Sequence, residues 1–533
     1  MLKPVQRGVA ARRRPRPQSF WSAPPEWALF LFAFVAVFLS HWPLLRLPYY
    51  WDEAGYYIPA AFDFFRTGSL IPFTTLSNAH PPLPSIYLAA WWKLFGFAPF
   101  ITRTAMCAVA ALALVAVWRI ALTVSQRRSV AAATVVLTGI YPIFFAQSSL
   151  AHADMFAAAA TLWALVFFFD EQLWWAVVCF SLAALCKETA IVTPLALAAW
   201  QVWLAVRRRS SAPLRNALLL GIPVVPLAAW YLYHWRRTGF IFGNPQYLRY
   251  NATATLSPLR VVIAFLHRAF QLTLHMDLFV LVLLAIAALL LDPASNQDGS
   301  ARPAIRNDCR TVMLVVIFAN AGFFSVLGGA LLTRYLLPLY PLVILLCVYA
   351  LHRRLRRWTW FVAFAALAFI CALFVNPPYR FAPEDNLAWS DMVRLQQDAI
   401  AQIENRYPGE TVLTAWPASD ELTKPELGYV SRPVPVTPID NFSFEQIRNA
   451  AQSRQSYSVA LIFSTKYNPP RRLSLGRINQ KLDARFFGFH RDLDPAFVAR
   501  LLGGRVVWSE ERKGQWAAVL HFDGPAEARL QLP

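Results

Sequence analysis

The sequence predicts an α-helical polytopic membrane protein that carries a smaller extracytoplasmic α/β domain at its C-terminal end. Hydrophobic residues make up 57% of the 533 residues, including 40 Phe and 20 Trp, which exceeds the apolar content of ordinary soluble domains. The formal net charge is +20, but the cations form short clusters beside apolar runs. That pattern is typical of cytoplasmic membrane loops rather than of nucleic-acid binding.

Eleven membrane spans are predicted in the region 27–375, because a helix needs about 20 residues to cross the hydrocarbon. The segment 1–26 is basic and is followed by no convincing small-residue cleavage site, so we expect a cytoplasmic N-terminus and a retained first helix. The spans are placed near residues 27–45, 101–122, 129–149, 155–170, 172–187, 189–206, 214–233, 269–291, 311–332, 335–351 and 358–375.

The distribution of basic residues supports this count. With the N-terminus in the cytoplasm, the clusters at 127–128, 207–215, 302–310 and 353–357 all fall on cytoplasmic loops, as the positive-inside rule requires. An odd number of spans then places residues 376–533 outside the cytoplasm.

Residues 46–100 are predicted to form one long outer loop. The apolar stretch PPLPSIYLAAWWKLFG (81–96) begins with prolines and contains Lys93, which is typical of an interfacial helix rather than a span. Counting it as a span would also move the basic cluster at 127–128 to the outside. We therefore predict two helices on the membrane surface, at roughly 53–66 and 82–96.

Acidic residues occur at two points on this outer face. The stretch YYWDEAGYY (49–57) presents Asp52 and Glu53 directly after the first span, and Asp154 lies in SSLAHADMF before the fourth. Each has a simpler explanation: Asp52 and Glu53 could favour the positive dipole end of a helix, and Asp154 could be a helix cap. Most predicted spans lack ionisable groups, so the convergence of these carboxylates on one face favours a site.

Basic side chains are predicted on the same face: His80, Lys187, Arg236, Arg237, Arg249, Arg268 and Arg334. Alone, His80 before two prolines fits a solvated turn, and Lys187 with Glu188 fits an exposed ion pair of little energetic value. In conjunction with the carboxylates they form the set needed for group transfer from a membrane-embedded phosphate. A carboxylate base activates an acceptor hydroxyl, and cations stabilise the leaving phosphate.

Other functions fit the sequence less well. A transporter or flippase for lipid-linked sugars, the main alternative, should show broken helices or repeats related across the membrane. A non-catalytic scaffold with an external binding domain has no need for the acidic residues. Carboxylates can hold a divalent cation, but no ligand spacing requires a metal, and the cofactor stays unknown.

Asp277 needs a separate explanation, because the predicted span 269–291 buries it about two turns from the outer boundary. A charge there is costly, so either Asp277 is functional or the span begins later, and we favour the later start. His275 and Arg268 keep this segment a secondary candidate for contact with a lipid phosphate.

Residues 376–533 are predicted to form the α/β domain. Strand patterns occur in VLTA (412–415), YSVALIFST (457–465) and VVWSEE (506–511), and helical patterns near 386–406, 443–453 and 473–487. The six cysteines lie in or beside apolar segments, which indicates neither a disulfide framework nor a metal motif.

The order of these residues resembles the GT-C class of membrane glycosyltransferases over about residues 25–375. The resemblance rests on Asp52-Glu53, on HPPL from His80, on Asp154, on Lys187-Glu188, and on RYLLPLYP from Arg334. The sequence is most similar to the branch that contains the protein O-mannosyltransferases and the bacterial aminoarabinose transferases of lipid A.

The resemblance implies a polyprenyl-phosphate-sugar donor and an inverting single displacement on the outer face. It implies that Asp52 is the base, with Glu53 beside it and Asp154 as the second acidic site. It also places Arg334 and Tyr335 near the donor phosphate. His80 stands where the lipid A transferases of this branch usually have Lys, and the acceptor, whether protein, lipid or glycan, stays open.

Overall fold

The structure is a computed structural model that describes residues 25–243, 245, 257–327, 330–467, 477–487 and 492–522. Residues 1–24 of the predicted cytoplasmic segment 1–26 lie outside the described residues. Arg249 also lies outside them. In the described part, α-helices dominate up to residue 374. They are α1 Glu26–His41, α2 Ile58–Thr67, α3 Leu83–Phe95, α4 Pro99–Ser125, α5 Arg128–Ile140, α6 Pro142–Gln147, α7 Ala153–Phe169, α8 Leu173–Cys186, α9 Val192–Arg208, α10 Ala212–Gly221, α11 Val224–Thr238, α12 Pro258–Thr273, α13 Leu278–Leu289, α14 Asn307–Val326, α15 Tyr340–Arg354 and α16 Trp358–Phe374.

Each predicted span contains at least one of these helices, so the polytopic helical fold is confirmed. Six helical segments of the described chain are long and apolar enough to cross a membrane, and four shorter apolar helices of 10–17 residues accompany them. The count of eleven spans stays a prediction. Proline explains two interruptions, because it cannot donate a backbone hydrogen bond within a helix: Pro142 separates α5 from α6, and Pro223 separates α10 from α11.

The helix over the predicted span 269–291 is interrupted instead of continuous. α12 ends at Thr273 and α13 begins at Leu278, with a short 3₁₀ turn between them in which Met276 and Asp277 have φ values of 48° and 61°. The later start favoured for this helix is therefore what the structure has. Asp277 lies at the break, where its charge is not embedded in a continuous helix.

The centre of the bundle is formed by α4 and α7. Both are rich in buried alanine, including Ala110 and Ala113 of α4 and Ala158 and Ala164 of α7. Small side chains let membrane helices approach closely. The packing of these two helices fixes the first turns of both at the same end of the bundle, which we call the site end.

The two predicted surface helices are present between α1 and α4. The first begins as a π-helix, Glu53–Tyr57, and continues as α2, while the second is α3. They pack against each other through aromatic side chains, with the rings of Phe65 and Trp92 5.8 Å apart in an edge-to-face arrangement. The segment 46–98 thus forms an ordered layer across the site end of the bundle.

The C-terminal region is an α/β unit, as predicted. Its described elements are α17 Ala388–Arg406, β1 Val412–Ala415, α18 Ala418–Thr423, β2 Val436–Ile439, α19 Phe444–Gln452, β3 Val459–Phe463, α20 Arg477–Phe486, α21 Pro495–Leu502, β4 Arg505–Arg512 and β5 Gln515–His521. In the described part the strands form one sheet in the order β2-β1-β3-β5-β4, with β1 parallel to β2 and β3, and β5 antiparallel to β3 and β4. The sequence patterns missed β2 and β5.

The C-terminal region packs on the 46–98 layer. The Tyr429 hydroxyl donates to the Tyr49 carbonyl at 2.9 Å, and the fully buried Trp389 ring lies 4.9 Å from the Arg103 guanidinium. The indole of Trp416 occupies the space beside Gly55, where a Cβ atom would lie only 2.4 Å from the indole nitrogen. The absence of a side chain at Gly55 therefore allows the C-terminal region to reach the site end of the bundle.

Candidate active site

Arg334 is the centre of the candidate site. It lies on a 3₁₀ helix, Thr333–Leu336, just before α15, and its side chain is only 2% exposed. Three carboxylates surround the guanidinium: Asp52 forms an ion pair with Nη2, Glu384 accepts from Nη1 at 2.6 Å, and Asp154 lies 3.3 Å from Nε. Three segments far apart in the sequence thus converge on one cation.

Asp52 reaches Arg334 because of the local backbone that precedes the π-helix. Trp51 has a φ of 47°, in the left-handed region, and π-helical turns often occur at functional sites. The Asp52 side chain caps no helix and is 20% exposed at the cavity. Asp52 stands at the N-cap position of the π-helix, where its charge can also favour the positive end of the helix dipole, but its side chain is turned to Arg334.

Asp154 and Lys187 form a second buried pair beside Arg334. The Lys187 ammonium donates to Asp154 at 2.5 Å, with both side chains less than a tenth exposed, and it lies 4.0 Å from the centre of the Tyr335 ring. Asp154 lies in the first turn of α7 but makes no side-chain cap. Because Lys187 pairs with Asp154, the alternative of an exposed Lys187–Glu188 pair is wrong.

Glu53 points away from Arg334 although it follows Asp52 directly. It is fully buried, and it accepts hydrogen bonds from the backbone N–H of Tyr50 at 2.8 Å and of Ala151 at 2.6 Å. The Arg103 guanidinium donates to both of its carboxylate oxygens at 3.2 and 3.4 Å. This arrangement ties the start of the π-helix to the start of α7, and Glu53 does not line the cavity described below.

His80 lies at the cavity wall and pairs with Glu188, with 2.8 Å between Nδ1 and the carboxylate. Its ring stacks on Tyr57, with the ring centres 5.8 Å apart. Tyr57 in turn lies 5.7 Å from the ring of His152. His80 is therefore a fixed wall residue rather than a side chain in a solvated turn.

Arg268 does not line the cavity, but it contacts residues that do. It is fully buried and donates to the carbonyl of Leu332 at 2.8 Å and to Gln271 at the same distance. Its guanidinium lies 5.8 Å from the centre of the Tyr335 ring. These contacts hold the segment that carries Arg334. The other predicted cations, Arg236 and Arg237, lie on the exposed last turn of α11 and do not line the cavity.

The break between α12 and α13 positions a second polar group. His275 is hydrogen-bonded to Asp385 at 2.9 Å and to the Tyr379 hydroxyl at 3.0 Å, and the Thr333 hydroxyl donates to the same Asp385 carboxylate. Asp385 thus connects the α12–α13 break with the residue next to Arg334. We find no contact of His275 with the cavity among the described residues.

A cavity of about 460 Å³ opens beside Arg334. Both parts of the chain line it. The lining residues include Asp52, Tyr56, Tyr57, His80, Lys187, Arg334, Tyr335 and Glu384 from the membrane part and its following loop, and Met392, Trp416, Ser464, Thr465, Lys466 and Gln515 from the C-terminal region. The C-terminal region therefore forms one side of the site instead of standing apart from it.

Sequence analysis missed Glu384 and Arg103. Glu384 and Asp385 follow the last predicted span in RFAPEDN, and the same count of spans that put Asp52 and Asp154 on one face also put this acidic pair there. Arg103 near the start of α4 gave a further signal, since a buried cation at a helix end needs a partner. Either signal could have been used without a structure.

Burial controls ionisation at the site. Glu384 is almost fully buried, and burial together with the Asp52 charge outweighs the Arg334 guanidinium and raises the pKa of Glu384 to about 8. Burial and the nearby Arg334 and Lys187 charges hold the pKa of His152 well below its usual value, so this ring is neutral. In the described residues no group of three or more His, Cys, Asp or Glu has the geometry of a metal site.

Comparison with known proteins gives a match to one family model over part of the chain and a similarity in fold to solved structures. Residues 79–230 match the family model described as dolichyl-phosphate-mannose-protein mannosyltransferase. No curated protein sequence matches the chain. Among solved structures, ArnT from Cupriavidus metallidurans, both bound to undecaprenyl phosphate and in the apo state, matches with a TM-score of 0.51 and 15% identity, covering 93% of this chain and 98% of that one.

The archaeal oligosaccharyltransferase AglB from Archaeoglobus fulgidus matches with a TM-score of 0.48 and 12% identity, covering 95% of this chain and 75% of that one. The matched segment 79–230 contains His80, Asp154 and Lys187 of the candidate site. The chain is therefore similar in sequence to the mannosyltransferase family over residues 79–230 and similar in fold to ArnT over 93% of its length.

Proposed function

We propose that the protein transfers a sugar from a polyprenyl-phosphate-sugar donor to a hydroxyl acceptor, with inversion at the sugar's anomeric carbon. The observation that carries this proposal is the meeting of Asp52, Arg334 and Lys187 at the wall of one cavity. A carboxylate that takes a proton and two cations that stabilise a departing phosphate are the groups such a transfer requires.

In the proposed reaction Asp52 removes the proton of the acceptor hydroxyl, and the acceptor oxygen forms a bond to the anomeric carbon. The bond from that carbon to the phosphate oxygen breaks at the same time, and the phosphate leaves with the electron pair. Arg334 and Lys187 stabilise the added charge on the phosphate, which is worth most in a site with little water. Asp154 holds Lys187 in place at 2.5 Å.

The remaining predicted residues support this chemistry without touching the reacting bond. Tyr335 lies against three cations, with its ring centre 4.0 Å from Lys187, 5.8 Å from Arg268 and 6.0 Å from Arg334. It keeps these like charges apart and oriented, because a cation is attracted to the face of an aromatic ring. We assign Glu53 a positioning role, since it is bonded to Arg103 and to backbone N–H groups.

The proposed topology puts the N-terminus in the cytoplasm and residues 376–533 outside it, in the periplasm if the cell has an outer membrane. The domain boundaries proposed are 1–26, 27–375 with the catalytic loop 46–100, and 376–533. In this arrangement the lipid donor meets Arg334 at the membrane boundary, and the acceptor enters between the loop and the C-terminal region. Whether the acceptor is protein, lipid or glycan is left open by this proposal.

The test is sugar transfer from a polyprenyl-phosphate-sugar by the purified protein in liposomes. Asp52→Asn keeps the size of the side chain and removes its basicity, and loss of a general base costs about 10² to 10⁴ in rate, so we expect transfer to slow at least about a hundredfold.

Asp170→Asn is the matched control, because Asp170 is also 20% exposed and also pairs with an arginine, Arg119, at 2.8 Å, outside the cavity. Wild-type turnover by Asp52→Asn, with chemistry rate-limiting, would remove Asp52 from the role of base.

A further inference from the structure

The carboxylates around Arg334 outnumber the cations. Asp52, Asp154 and Glu384 face Arg334 and Lys187, so the ionised cluster has one negative charge in excess. A lipid phosphate that binds here adds at least one more, and about two if it is a monoester. Like charges repel strongly in a buried site, so a phosphate that binds beside these carboxylates favours the protonation of one of them.

No edge of the Arg334 guanidinium is free of carboxylates and open to a further anion. Nη1 donates to Glu384 and Nη2 pairs with Asp52, while Asp154 lies beside Nε. A bidentate contact needs two adjacent N–H groups on one edge of the guanidinium, and each such edge already faces at least one of these carboxylates, so a phosphate that binds in this way must displace a carboxylate.

Glu384 is the carboxylate with the least other support. Asp154 keeps Lys187 at 2.5 Å when Arg334 turns to a phosphate, and Asp52 is 20% exposed and can be solvated. Glu384 is only 4% exposed, and its second oxygen, Oε1, is buried without a hydrogen-bond partner. A buried carboxylate that loses its cation becomes protonated rather than remaining charged.

The other groups near Glu384 do not replace Arg334. His152 Nδ1 lies 4.0 Å from the carboxylate, but burial, together with the neighbouring cations, holds the pKa of this ring well below its usual value and keeps it neutral. Asp385 adds negative charge beside it and is itself bonded to His275 and Thr333. Apart from Arg334, the charged groups that act most strongly on Glu384 are the carboxylates of Asp52, Asp385 and Asp154, which all raise its pKa.

We propose, on the basis of the function proposed above, that a lipid phosphate takes the place of Glu384 on Arg334 and that Glu384 then binds a proton from water. Donor binding is thereby coupled to the uptake of one proton. Glu384 is a positioning residue in this scheme, because it sets when Arg334 is available to the phosphate.

The ionisation of Glu384 sets the pH range in which the coupling is visible. Its pKa is about 8 in the free protein, so below about pH 7 it already carries the proton and binding takes up little. Above pH 8 it is ionised in the free protein, and uptake on binding approaches one proton. The affinity for the phosphate then falls up to about tenfold per pH unit, by linkage between binding and protonation.

The experiment measures binding of undecaprenyl phosphate to the full-length protein in detergent by isothermal titration calorimetry at pH values from 6 to 9. Buffers with different heats of ionisation report the number of protons taken up. The probe's own second ionisation, near pH 6, is complete above pH 7.5. We expect uptake approaching one proton at pH 9 in the wild type, and none with Glu384→Gln, whose affinity no longer falls between pH 8 and 9.

Glu421→Gln is the matched control. Glu421 is a fully buried carboxylate in α18 whose two oxygens have no hydrogen-bond partner, and it lies outside the cavity lining. This variant should keep the proton uptake of the wild type. Binding by the wild type without proton uptake at pH 9, or unchanged uptake in a folded Glu384→Gln variant, would overturn the inference and leave the proposed function intact. Failure of the wild type to bind the probe at any pH would overturn the proposed function as well.

Discussion

The adjacent carboxylates Asp52 and Glu53 should separate stability from catalysis when each is replaced by its amide. Glu53→Gln removes the charge of a fully buried side chain that faces four N–H donors, two of them on Arg103 and two on the backbone. Asp52→Asn removes a charge that is 20% exposed and shares Arg334 with two other carboxylates.

The magnitude follows from these contacts. The glutamine amide has one acceptor oxygen, so its NH₂ group must face one backbone N–H and one Arg103 N–H, and the buried backbone N–H is left unpaired at a cost of about 1–3 kcal/mol. Removing the charged partner of a buried pair costs about 3–5 kcal/mol. Arg103 keeps the carbonyls of Leu47, Pro48 and Ser149, so we expect Glu53→Gln to lose about 3–5 kcal/mol in all. Asp52→Asn should lose less, because Glu384 and Asp154 remain as partners of Arg334.

The assay compares thermal unfolding in detergent, followed by circular dichroism, with sugar transfer per folded molecule. Glu53→Gln should unfold at a clearly lower temperature, and the fraction that remains folded should keep most of its turnover. Asp52→Asn should show the opposite result. If Glu53→Gln unfolds like the wild type but loses transfer as severely as Asp52→Asn, the positioning role is wrong and Glu53 takes part in the chemistry.

Two further predictions concern Arg334 and topology. Arg334→Ala should abolish binding of undecaprenyl phosphate and also lower the unfolding temperature, because three carboxylates lose their shared cation. Arg334→Lys should recover part of the stability. Normal binding of undecaprenyl phosphate by Arg334→Ala would remove Arg334 from the site. Reporter fusions after Arg209 and after Asn376 should report opposite sides of the membrane, and signals from the same side would contradict the proposed orientation.

The helices and strands were largely determined by local sequence patterns. Apolar runs of sufficient length predicted a helix in every proposed span, and the patterns at 412–415 and 457–465 predicted β1 and the longer segment that contains β3. These predictions succeed because hydrophobic length and periodicity act over a few neighbouring residues. β2 (Val436–Ile439) contains Pro438, which weakens a strand pattern.

The sequence also determined part of the candidate site. Counting spans put Asp52, Asp154 and Arg334 at one end of the bundle, and the structure brings these three together. Counting spans did not predict that Arg334 is buried, with only 2% of its side chain exposed. Exposure depends on what packs over a residue, and here the covering residues come from segments 52–57 and 382–384.

Only the tertiary structure determined which charged side chains form ion pairs with each other. Glu53 and Asp52 are neighbours in sequence, yet the turn at Trp51 and the π-helix send one to Arg103 and the other to Arg334. Lys187 likewise pairs with Asp154, 33 positions away, instead of with the adjacent Glu188. Such partners are fixed by how α4, α7 and the C-terminal region pack, and buried charges must find partners within that packing, which no local pattern records.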